Sequence, residues 1–195
     1  MEYRQLSGRA ALSYVAELGS LRIRVFREFP YLYDGDMAYE KKYLESYFSC
    51  PQSIVVMAID GGRTVGATTG MPLTDAETEW QAPFDAHGIP KAKVFYFGES
   101  VLLPEYRGQG VGQAFFDYRE AFAASLPQIA TTAFCAVKRA ADDPRRPTGY
   151  RPLDNFWGKR GYHKVPELTT SFHWKEVDEV SASAKTMEFW LREFR

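Results

Sequence analysis

The chain has 195 residues, of which 45% are hydrophobic and 25% charged, and its formal net charge is −1. This length suits one domain with its own core, and we expect a single domain over residues 1–195. A near-neutral charge gives no global attraction to nucleic acid or to an anionic membrane, so neither is expected as a partner. No apolar segment approaches the roughly 18 residues of a membrane helix.

The two cysteines, Cys50 and Cys135, stand far apart and form no CxxC pair. This usage is typical of a reduced intracellular protein rather than a disulfide scaffold, and a single bridge stays open at this point. The first residues carry Glu2, Arg4 and Arg9 among few apolar side chains, unlike a secretory signal peptide. The cytoplasm is therefore the expected compartment.

Hydrophobic spacing predicts mixed strands and helices in the first half of the chain. A strand is predicted at EYRQL, a helix at LGSLRIRVFREF, a turn at PYLYDGD and a second helix at MAYEKKYLESYF. A β-hairpin is predicted at SIVVMAI and RTVGATTGMPL, which DGG joins. A polar insertion follows at residues 74–91, with one helix expected around residues 77–85.

The second half continues this mixed order. We expect a central strand at KVFYFGESVLL, a helix at GQAFFDYREAFAASL and a strand at QIATTAFCAV. A charged, proline-rich loop precedes a short helix at LDNFWGKRGY that ends at Gly161, and two closing strands are predicted at ELTTSFHWKEV and TMEFWLREF. The predicted fold class is α/β (α+β), one domain with a central, mostly antiparallel sheet.

A glycine-rich segment, LLPEYRGQGVGQAFF, joins the central strand to the following helix. Glycines at a helix start expose unpaired backbone N–H groups and a positive dipole end, which together bind phosphate. A P-loop would need Lys and Ser or Thr after Gly112, where Gln113 and Ala114 stand. A Rossmann fingerprint would need glycine at Gln113. The spacing excludes both of these phosphate-binding motifs.

The remaining pattern, [RQ]-x-x-G-x-[GA], is met by Arg107, Gly110 and Gly112, and here the sequence resembles the GNAT superfamily of acyl-CoA-dependent N-acetyltransferases. The segment NFWGKRGY is similar to the lYeklGF segment that closes the family's acetyl-CoA cleft. The resemblance covers most of the chain. It implies the GNAT fold, a twisted sheet of about six or seven strands with helices on both faces. It also implies acetyl-CoA as co-substrate, without a metal.

The resemblance also implies cofactor contacts. The pyrophosphate would lie on the N–H groups of residues 107–113, with part of the binding from the charge of Arg107. These residues are Arg107, Gly108, Gln109, Gly110, Val111, Gly112 and Gln113. The strand end at Val101, Leu102 and Leu103 would carry a β-bulge and pair with the pantetheine arm. The Leu102 N–H would polarise the thioester carbonyl, an effect of about a few kcal/mol. Asn155 and Trp157 would line the cofactor cleft.

Glu99 is the candidate base for the acceptor amine and is also expected to contact that acceptor. It is the one charged side chain in VFYFGESVLL, and an unpaired carboxylate in a central strand is costly to bury. The alternative is a carboxylate that pairs with an arginine or faces solvent. Related enzymes with a glutamate on this strand often carry it one residue earlier, at Gly98 here. A bulge would restore the register, or the base lies elsewhere and acts through water.

The acid that protonates the leaving thiolate is a tyrosine of the lYeklGF segment in many relatives, but Trp157 stands there. Tyr150 in the preceding loop is the candidate substitute, and otherwise the proton comes from water or from the substrate amine. We expect Cys135 to be a small buried hydrophobe rather than a nucleophile. The histidines are widely spaced and predict no metal site.

The turn PYLYDGD is expected to border the acceptor cleft in this fold. Tyr31 and Tyr33 would wall an apolar or cationic acceptor, and Asp34 and Asp36 would attract an ammonium group. The alternative is a tight turn whose tyrosines belong to the core. Trp80 and Phe84 of the insertion are candidates for the same wall.

The predicted function is acetyl transfer from acetyl-CoA to a primary amine of a small-molecule or amino-acid-like acceptor, in a direct ternary complex. Basic residues concentrate at positions 138–164, as a solvated loop or as a lip for the 3′-phosphate of CoA. A silent acyl-CoA-binding sensor and a protein lysine or N-terminal acetyltransferase are the alternatives. Trp157 favours the sensor, and the insertion disfavours the open groove that a protein acceptor needs. A homodimer is left open as an assembly.

Overall fold

The computed structural model describes residues 1–194, and Arg195, the last residue of the predicted domain, lies outside them. The strands are β1 (Glu2–Leu6), β2 (Ile54–Asp60), β3 (Arg63–Pro72), β4 (Val94–Leu102), β5 (Thr131–Val137), β6 (His163–Trp174) and β7 (Ser183–Glu193). The helices are α1 (Val15–Phe26), α2 (Met37–Ser49), α3 (Thr78–Ala86), α4 (Val111–Ser125) and α5 (Asp154–Lys159). This is the predicted order of elements.

The described strands form one seven-stranded sheet in the order β1-β2-β3-β4-β5-β7-β6. The β4–β5 pair is parallel, and the other neighbours are antiparallel. The side chain of Phe97 meets Phe116 of α4, whereas a Cβ on Gly98 would point at Tyr47 of α2. Helices therefore cover both faces of the sheet, which confirms the predicted fold class.

The central strand β4 is buried on both faces over its first half, as its apolar sequence predicts. Phe95 and Phe97 contact α4, while Tyr96 joins a second cluster on the opposite face. Phe84 of α3 belongs to this second cluster, is 0% exposed and packs edge-on against Phe189. The prediction that Phe84 walls an acceptor cleft is therefore wrong, because the helix turns it into the core.

Two irregularities of β4 shape the site. First, β4 and β5 pair only from Val94↔Thr131 to Tyr96↔Ala133, and beyond these residues the two strands separate. We call the resulting gap the β4–β5 opening. Second, the pairing of β4 with β3 shifts register between Thr68 and Gly70.

The register shift is a β-bulge. Ser100 lies opposite Thr68 and Phe97 lies opposite Gly70, so two β4 residues, Gly98 and Glu99, share one partner position on β3. The bulge was predicted further along, at residues 101–103. That position is wrong because residues 101 and 102 keep regular pairing with β3.

Candidate active site

The start of α4 is arranged to receive an anion. Gly108 and Gly110 have φ angles of 76° and 84°, in the left-handed region that favours glycine, and a Cβ on either would meet nothing within 4 Å. The first helical hydrogen bond runs from the Ala114 N–H to the Gly110 carbonyl at 3.1 Å. The N–H groups of Val111, Gly112 and Gln113 therefore have no partner inside the helix and point out of its N-terminus.

The end of β4 presents backbone groups to the β4–β5 opening. The Leu103 N–H donates to the Val65 carbonyl at 3.0 Å, on the β3 side. Because successive residues of a strand alternate direction, the N–H and C=O of Leu102 face the opening instead. This is the orientation that the predicted contact with a thioester carbonyl requires.

Arg107 behaves differently from its predicted role. Its guanidinium donates to the Leu102 carbonyl at 3.3 and 3.2 Å and pairs with Glu28 at 2.9 Å. The side chain thus crosses the wide end of the β4–β5 opening. Its charge is compensated by Glu28, so the backbone of residues 107–113 is better placed than this side chain to bind an anion.

The bulge brings Glu99 to the face covered by α1 and α2. A Cβ on Gly98 would meet the Tyr47 hydroxyl at 2.2 Å, so only glycine fits beneath α2 at this position. Glu99, next in the chain, contacts Tyr43 and Arg22 of the same two helices. Two successive residues therefore point to one face. The pairing of Glu99 with Arg22 is the alternative that the sequence left open for this carboxylate.

Glu99 sits in a buried cluster with an excess negative charge. Its Oε2 accepts a hydrogen bond from Tyr43 at 3.0 Å and pairs with Arg22 Nη1 at 2.8 Å. The Nε of Arg22 pairs with Glu40, which is 0% exposed. Although burial alone lowers it, the charges of the two carboxylates raise the pKa of Arg22. One guanidinium serves two carboxylates, so these three groups carry a formal charge of −1.

Arg119 lies on the opposite face of β4. It is 2% exposed, and its guanidinium carbon is 4.2 Å from the Phe97 ring centroid and 4.7 Å from that of Phe116. Its Nε donates to Phe115 O at 3.3 Å and its Nη1 to Glu99 O at 3.5 Å. Within residues 1–194 no carboxylate forms an ion pair with it. Burial lowers its pKa.

Tyr31 lies at the end of β5 beside the β4–β5 opening. Its ring centroid is 4.6 Å from that of Phe26 and 6.0 Å from that of Trp174, and its hydroxyl is hydrogen-bonded to the Val137 backbone. Burial raises its pKa, so the hydroxyl stays protonated. The position is compatible with the predicted acceptor wall.

The neighbouring residues of the turn are engaged with other parts of the protein. Tyr33 is half-buried beside Glu40. Burial is the main cause of its raised pKa, and the charge of the Glu40 carboxylate is the second cause. Asp34 accepts from Lys175 at 2.9 Å and from Arg27 at 3.0 Å, and the hydrogen bond to Lys175 is the main cause of its lowered pKa. The predicted role of Asp34 in attracting an ammonium group is therefore not supported, because two cations already compensate its charge.

The insertion contributes less to the cleft than predicted. Trp80 packs on Phe172 with ring centroids 4.0 Å apart and on Tyr96 at 4.9 Å. Thr170 of β6 donates to the Glu79 carbonyl at 2.9 Å. These contacts hold α3 against β6 and cover the sheet face there.

The three site residues predicted in the loop and helix before β6 differ in their contacts and burial. Tyr150 packs edge-on against Phe29 at 4.8 Å, and burial raises its pKa. Trp157 packs between Phe134 and Trp190 at 5.0 and 5.1 Å, as part of the core, and Asn155 is exposed. Of these contacts, only that of Trp157 with Phe134 lies at the β4–β5 opening, since Phe134 is the first β5 residue beyond the pairing with β4.

Phe156, which the sequence analysis missed, lies closest to the glycine motif. A Cβ on Gly112 would meet its ring at 3.9 Å. Beside it, a cleft of about 390 Å³ between α4 and α5 is lined by Gln113, Glu120, Phe156, Lys159, Arg160 and Arg192. Arg160 and Arg192 both pair with Glu120, whereas Lys159 forms no ion pair with any described residue. Among the cations that line this cleft, Lys159 is therefore the one whose charge no carboxylate of a described residue compensates.

Cys135 shows the predicted properties of a buried hydrophobe. Its sulfur lies 3.3 Å from the Tyr96 hydroxyl, and burial raises its pKa to about 12. Both cysteines are free thiols. Over the described residues there is no group of three or more His, Cys, Asp or Glu that could hold a metal ion. None of the helices in residues 1–194 is both long and apolar enough to cross a bilayer.

Comparison with known proteins identifies the family. The family model "Acetyltransferase (GNAT) family" matches residues 20–146. No curated protein sequence matches the chain. A ribosomal-protein-alanine N-acetyltransferase from Brucella melitensis has a similar structure, with a TM-score of 0.62, 12% identity and 100% of both chains covered.

Two further solved structures share the fold. Arabidopsis thaliana NAA60 in complex with acetyl-CoA has a TM-score of 0.61 and 10% identity, over 99% of this chain and 98% of that one. An aminoglycoside 6′-N-acetyltransferase complexed with coenzyme A has a TM-score of 0.56 and 15% identity, over 99% and 97%. The likeness extends over the whole sheet, and the family match spans more than half of the sequence. The chain belongs to the GNAT acetyltransferase family and is an acyltransferase.

Proposed function

We propose that this protein transfers the acetyl group of acetyl-CoA to the primary amine of a small-molecule or amino-acid-like acceptor, in a direct ternary complex. The observation that carries the proposal is the position of Glu99. The bulge turns its carboxylate onto the α1–α2 face, next to the point where β4 and β5 separate. A base is thereby held beside the segment of β4 that no longer pairs with β5.

The chain's own groups would hold acetyl-CoA from two sides. The N–H groups of Val111, Gly112 and Gln113 would bind the pyrophosphate, and the open space at Gly108 and Gly110 would allow its approach. Residues 101–103 would bind the pantetheine arm along the edge of β4. The Leu102 N–H would stabilise the charge that develops on the thioester oxygen. For this, Arg107 would release the Leu102 carbonyl.

The α4–α5 cleft would take the far end of the cofactor. Phe156 offers an aromatic surface for the adenine, and Lys159 offers an uncompensated charge for the 3′-phosphate. Asn155 and Trp157, the residues first expected there, are exposed at the helix start and packed in the core, respectively. We therefore assign this contact to Phe156 and Lys159, which line the cleft.

The reaction follows from the charge of the Glu99 cluster. The excess negative charge attracts a protonated amine, which must release a first proton to solvent before it can attack. Glu99 then accepts the second proton, which the nitrogen loses as the C–N bond forms. Arg22 and Tyr43 both bind Oε2, and Oε1 is the oxygen that we assign to the acceptor. The amine nitrogen bonds to the carbonyl carbon, the C–S bond breaks and its electron pair leaves with sulfur. Tyr150 remains the candidate proton donor, although its ring packs on Phe29.

A small acceptor is favoured over a protein chain by the covered face of the sheet. The contacts of α3 with β6 close the region where a polypeptide could lie across the strands. The named relatives act on different acceptors by their titles, so they do not select one class. The free thiols support a reducing compartment, and we propose the cytoplasm. We also propose that residues 1–195 work as one domain.

The test is turnover of acetyl-CoA, followed by free thiol release, over a panel of small amines, amino acids and peptides. The same compounds with blocked amino groups are the controls. We expect thiol release that depends on a free amine, with mass spectrometry of the acetylated product. CoA that protects the protein from unfolding, with no thiol release from any amine, would support a silent binding protein instead.

A further inference from the structure

The residue that the proposed mechanism leaves unused is Arg119. It is 2% exposed and belongs to the buried face of α4, together with Phe115, Phe116 and Ala123. A buried charge without a counter-charge is costly, and an apolar side chain of similar length would avoid that cost. We therefore expect Arg119 to bind a ligand rather than to serve only in the packing of the core.

The hydrogen bonds of Arg119 do not use all of its N–H donors. Its Nε and Nη1 donate to backbone carbonyls at 3.3 and 3.5 Å, and the latter is a long bond. A guanidinium has five N–H donors, and two of its three nitrogens make these bonds. The charged or titratable groups around it are Tyr162, Glu120, Glu99 and Tyr47, which act on it through space without pairing.

The location of Arg119 is the start of the β4–β5 opening. Its guanidinium lies over Phe97, the first β4 residue after Tyr96, where the pairing with β5 ends. With the thioester oxygen at the Leu102 N–H, the sulfur on the same carbon lies beside β4 just before Leu102. This position is next to Glu99, whose carbonyl accepts from Arg119 at 3.5 Å.

We propose that Arg119 stabilises the CoA thiolate as it leaves. When the amine displaces sulfur, the C–S electron pair remains on the thiolate, and the buried guanidinium supplies the compensating positive charge. The proton lost by the amine goes to Glu99 on the other side of β4, so no proton needs to reach the sulfur in this step. This function replaces the tyrosine hydroxyl whose position Trp157 occupies. The inference rests on the proposed function.

The test is the ionisation of the thiol in bound CoA, followed by the ultraviolet absorbance of the thiolate as pH rises. Desulfo-CoA provides the blank. A cation within contact range lowers the pKa of an acid by about one to three units. We expect the thiol in the wild-type complex to ionise at least about one pH unit below free CoA, which equals about tenfold tighter binding of the thiolate than of the thiol.

Three variants sharpen the test. Arg119→Met should return the ionisation to that of free CoA, Arg119→Lys should keep part of the shift, and Arg63→Met, at the exposed start of β3, should keep all of it. Equal affinity of wild type and Arg119→Met for desulfo-CoA would show that the site is intact.

Two results would overturn the proposal. A thiol that ionises alike in wild type and Arg119→Met would leave Arg119 as a residue of the core, with the proposed acetyl transfer untouched. A wild-type protein that binds no CoA would remove both this inference and the proposed function.

Discussion

Arg22 and Arg119 are buried to a similar degree on opposite faces of β4, and they differ in what surrounds them. Arg22 pairs with two carboxylates, Glu40 and Glu99, whereas Arg119 pairs with none among the described residues. The cluster of Arg22, Glu40 and Glu99 therefore carries a formal charge of −1, whereas Arg119 on the other face has no paired counter-charge. The pairing of a buried charge, and not its residue type, decides the field around it.

The two faces match the two halves of acyl transfer to an amine. The nucleophile must lose a proton, which a negative face with a carboxylate favours. The leaving group must carry a negative charge, which a positive face favours. The strand β4 alone separates these two charged regions at the β4–β5 opening, where we place the thioester.

The largest expected effect comes from removing the acceptor of the proton. Glu99→Gln should lower kcat by about 10²–10⁴-fold, because a neutral amide cannot take the proton. The affinity for acetyl-CoA should stay unchanged. Steady-state kinetics and a binding titration with acetyl-CoA measure the two quantities, and Glu45→Gln on the exposed side of α2 is the control. An unaltered kcat would remove Glu99 from the mechanism.

The second effect contrasts the two arginines in stability. Arg22→Met should lower the free energy of unfolding by about 3–5 kcal/mol, because two carboxylates remain buried without a cation. Arg119→Met should change it by less than about 1 kcal/mol or raise it, because no carboxylate loses a partner. Urea unfolding of the three proteins decides this. Equal losses in the two variants would contradict the difference between the faces.

The third effect concerns the glycines at the start of α4, where we expect the pyrophosphate of the cofactor to bind. Gly110→Val should weaken CoA binding by at least about tenfold, because its side chain enters the space meant for phosphate. Gly62→Val in the β2–β3 hairpin is a matched control, since its φ of 81° and open surroundings resemble the 84° at Gly110. Calorimetric titration with CoA measures the effect. Equal affinities in both variants would leave the glycines as a turn only.

The smallest effect is expected on β5, which lies across the opening. Cys135→Ala should leave kcat within about twofold of wild type, because a thiol with a pKa of about 12 is protonated at neutral pH and cannot attack the thioester. Alkylation of wild-type Cys135 should be slow at about pH 8 and should accelerate only as pH approaches 12. Loss of turnover in the alanine variant, with acetyl bound to wild-type Cys135, would indicate a covalent route instead.

The sequence predicted the local features of this site and missed those that depend on distant partners. The glycine motif is readable because φ and helix start depend on neighbours in the chain. The bulge at residues 98–99 depends on the pairing with Thr69 of another strand, and it was placed too late. Likewise, Asp34 is compensated by Lys175, which lies 141 positions away.

The buried arginines illustrate the same limit. Helical spacing puts Arg22 with Leu18, Leu21 and Val25, and an arginine in an apolar face is a visible signal of a buried charge. Whether a carboxylate meets that charge is a property of the folded protein, so the sequence alone could not separate Arg22 from Arg119. A homodimer, which the sequence left open, stays a prediction.

The most direct measurement is a crystal structure of the protein with CoA. We expect the pyrophosphate on the N–H groups of residues 111–113 and the sulfur within about 4 Å of β4 between residues 99 and 102, near the Arg119 guanidinium. We also expect that Arg107 has released the Leu102 carbonyl. A pyrophosphate bound elsewhere, or a sulfur outside the β4–β5 opening, would contradict the proposed site.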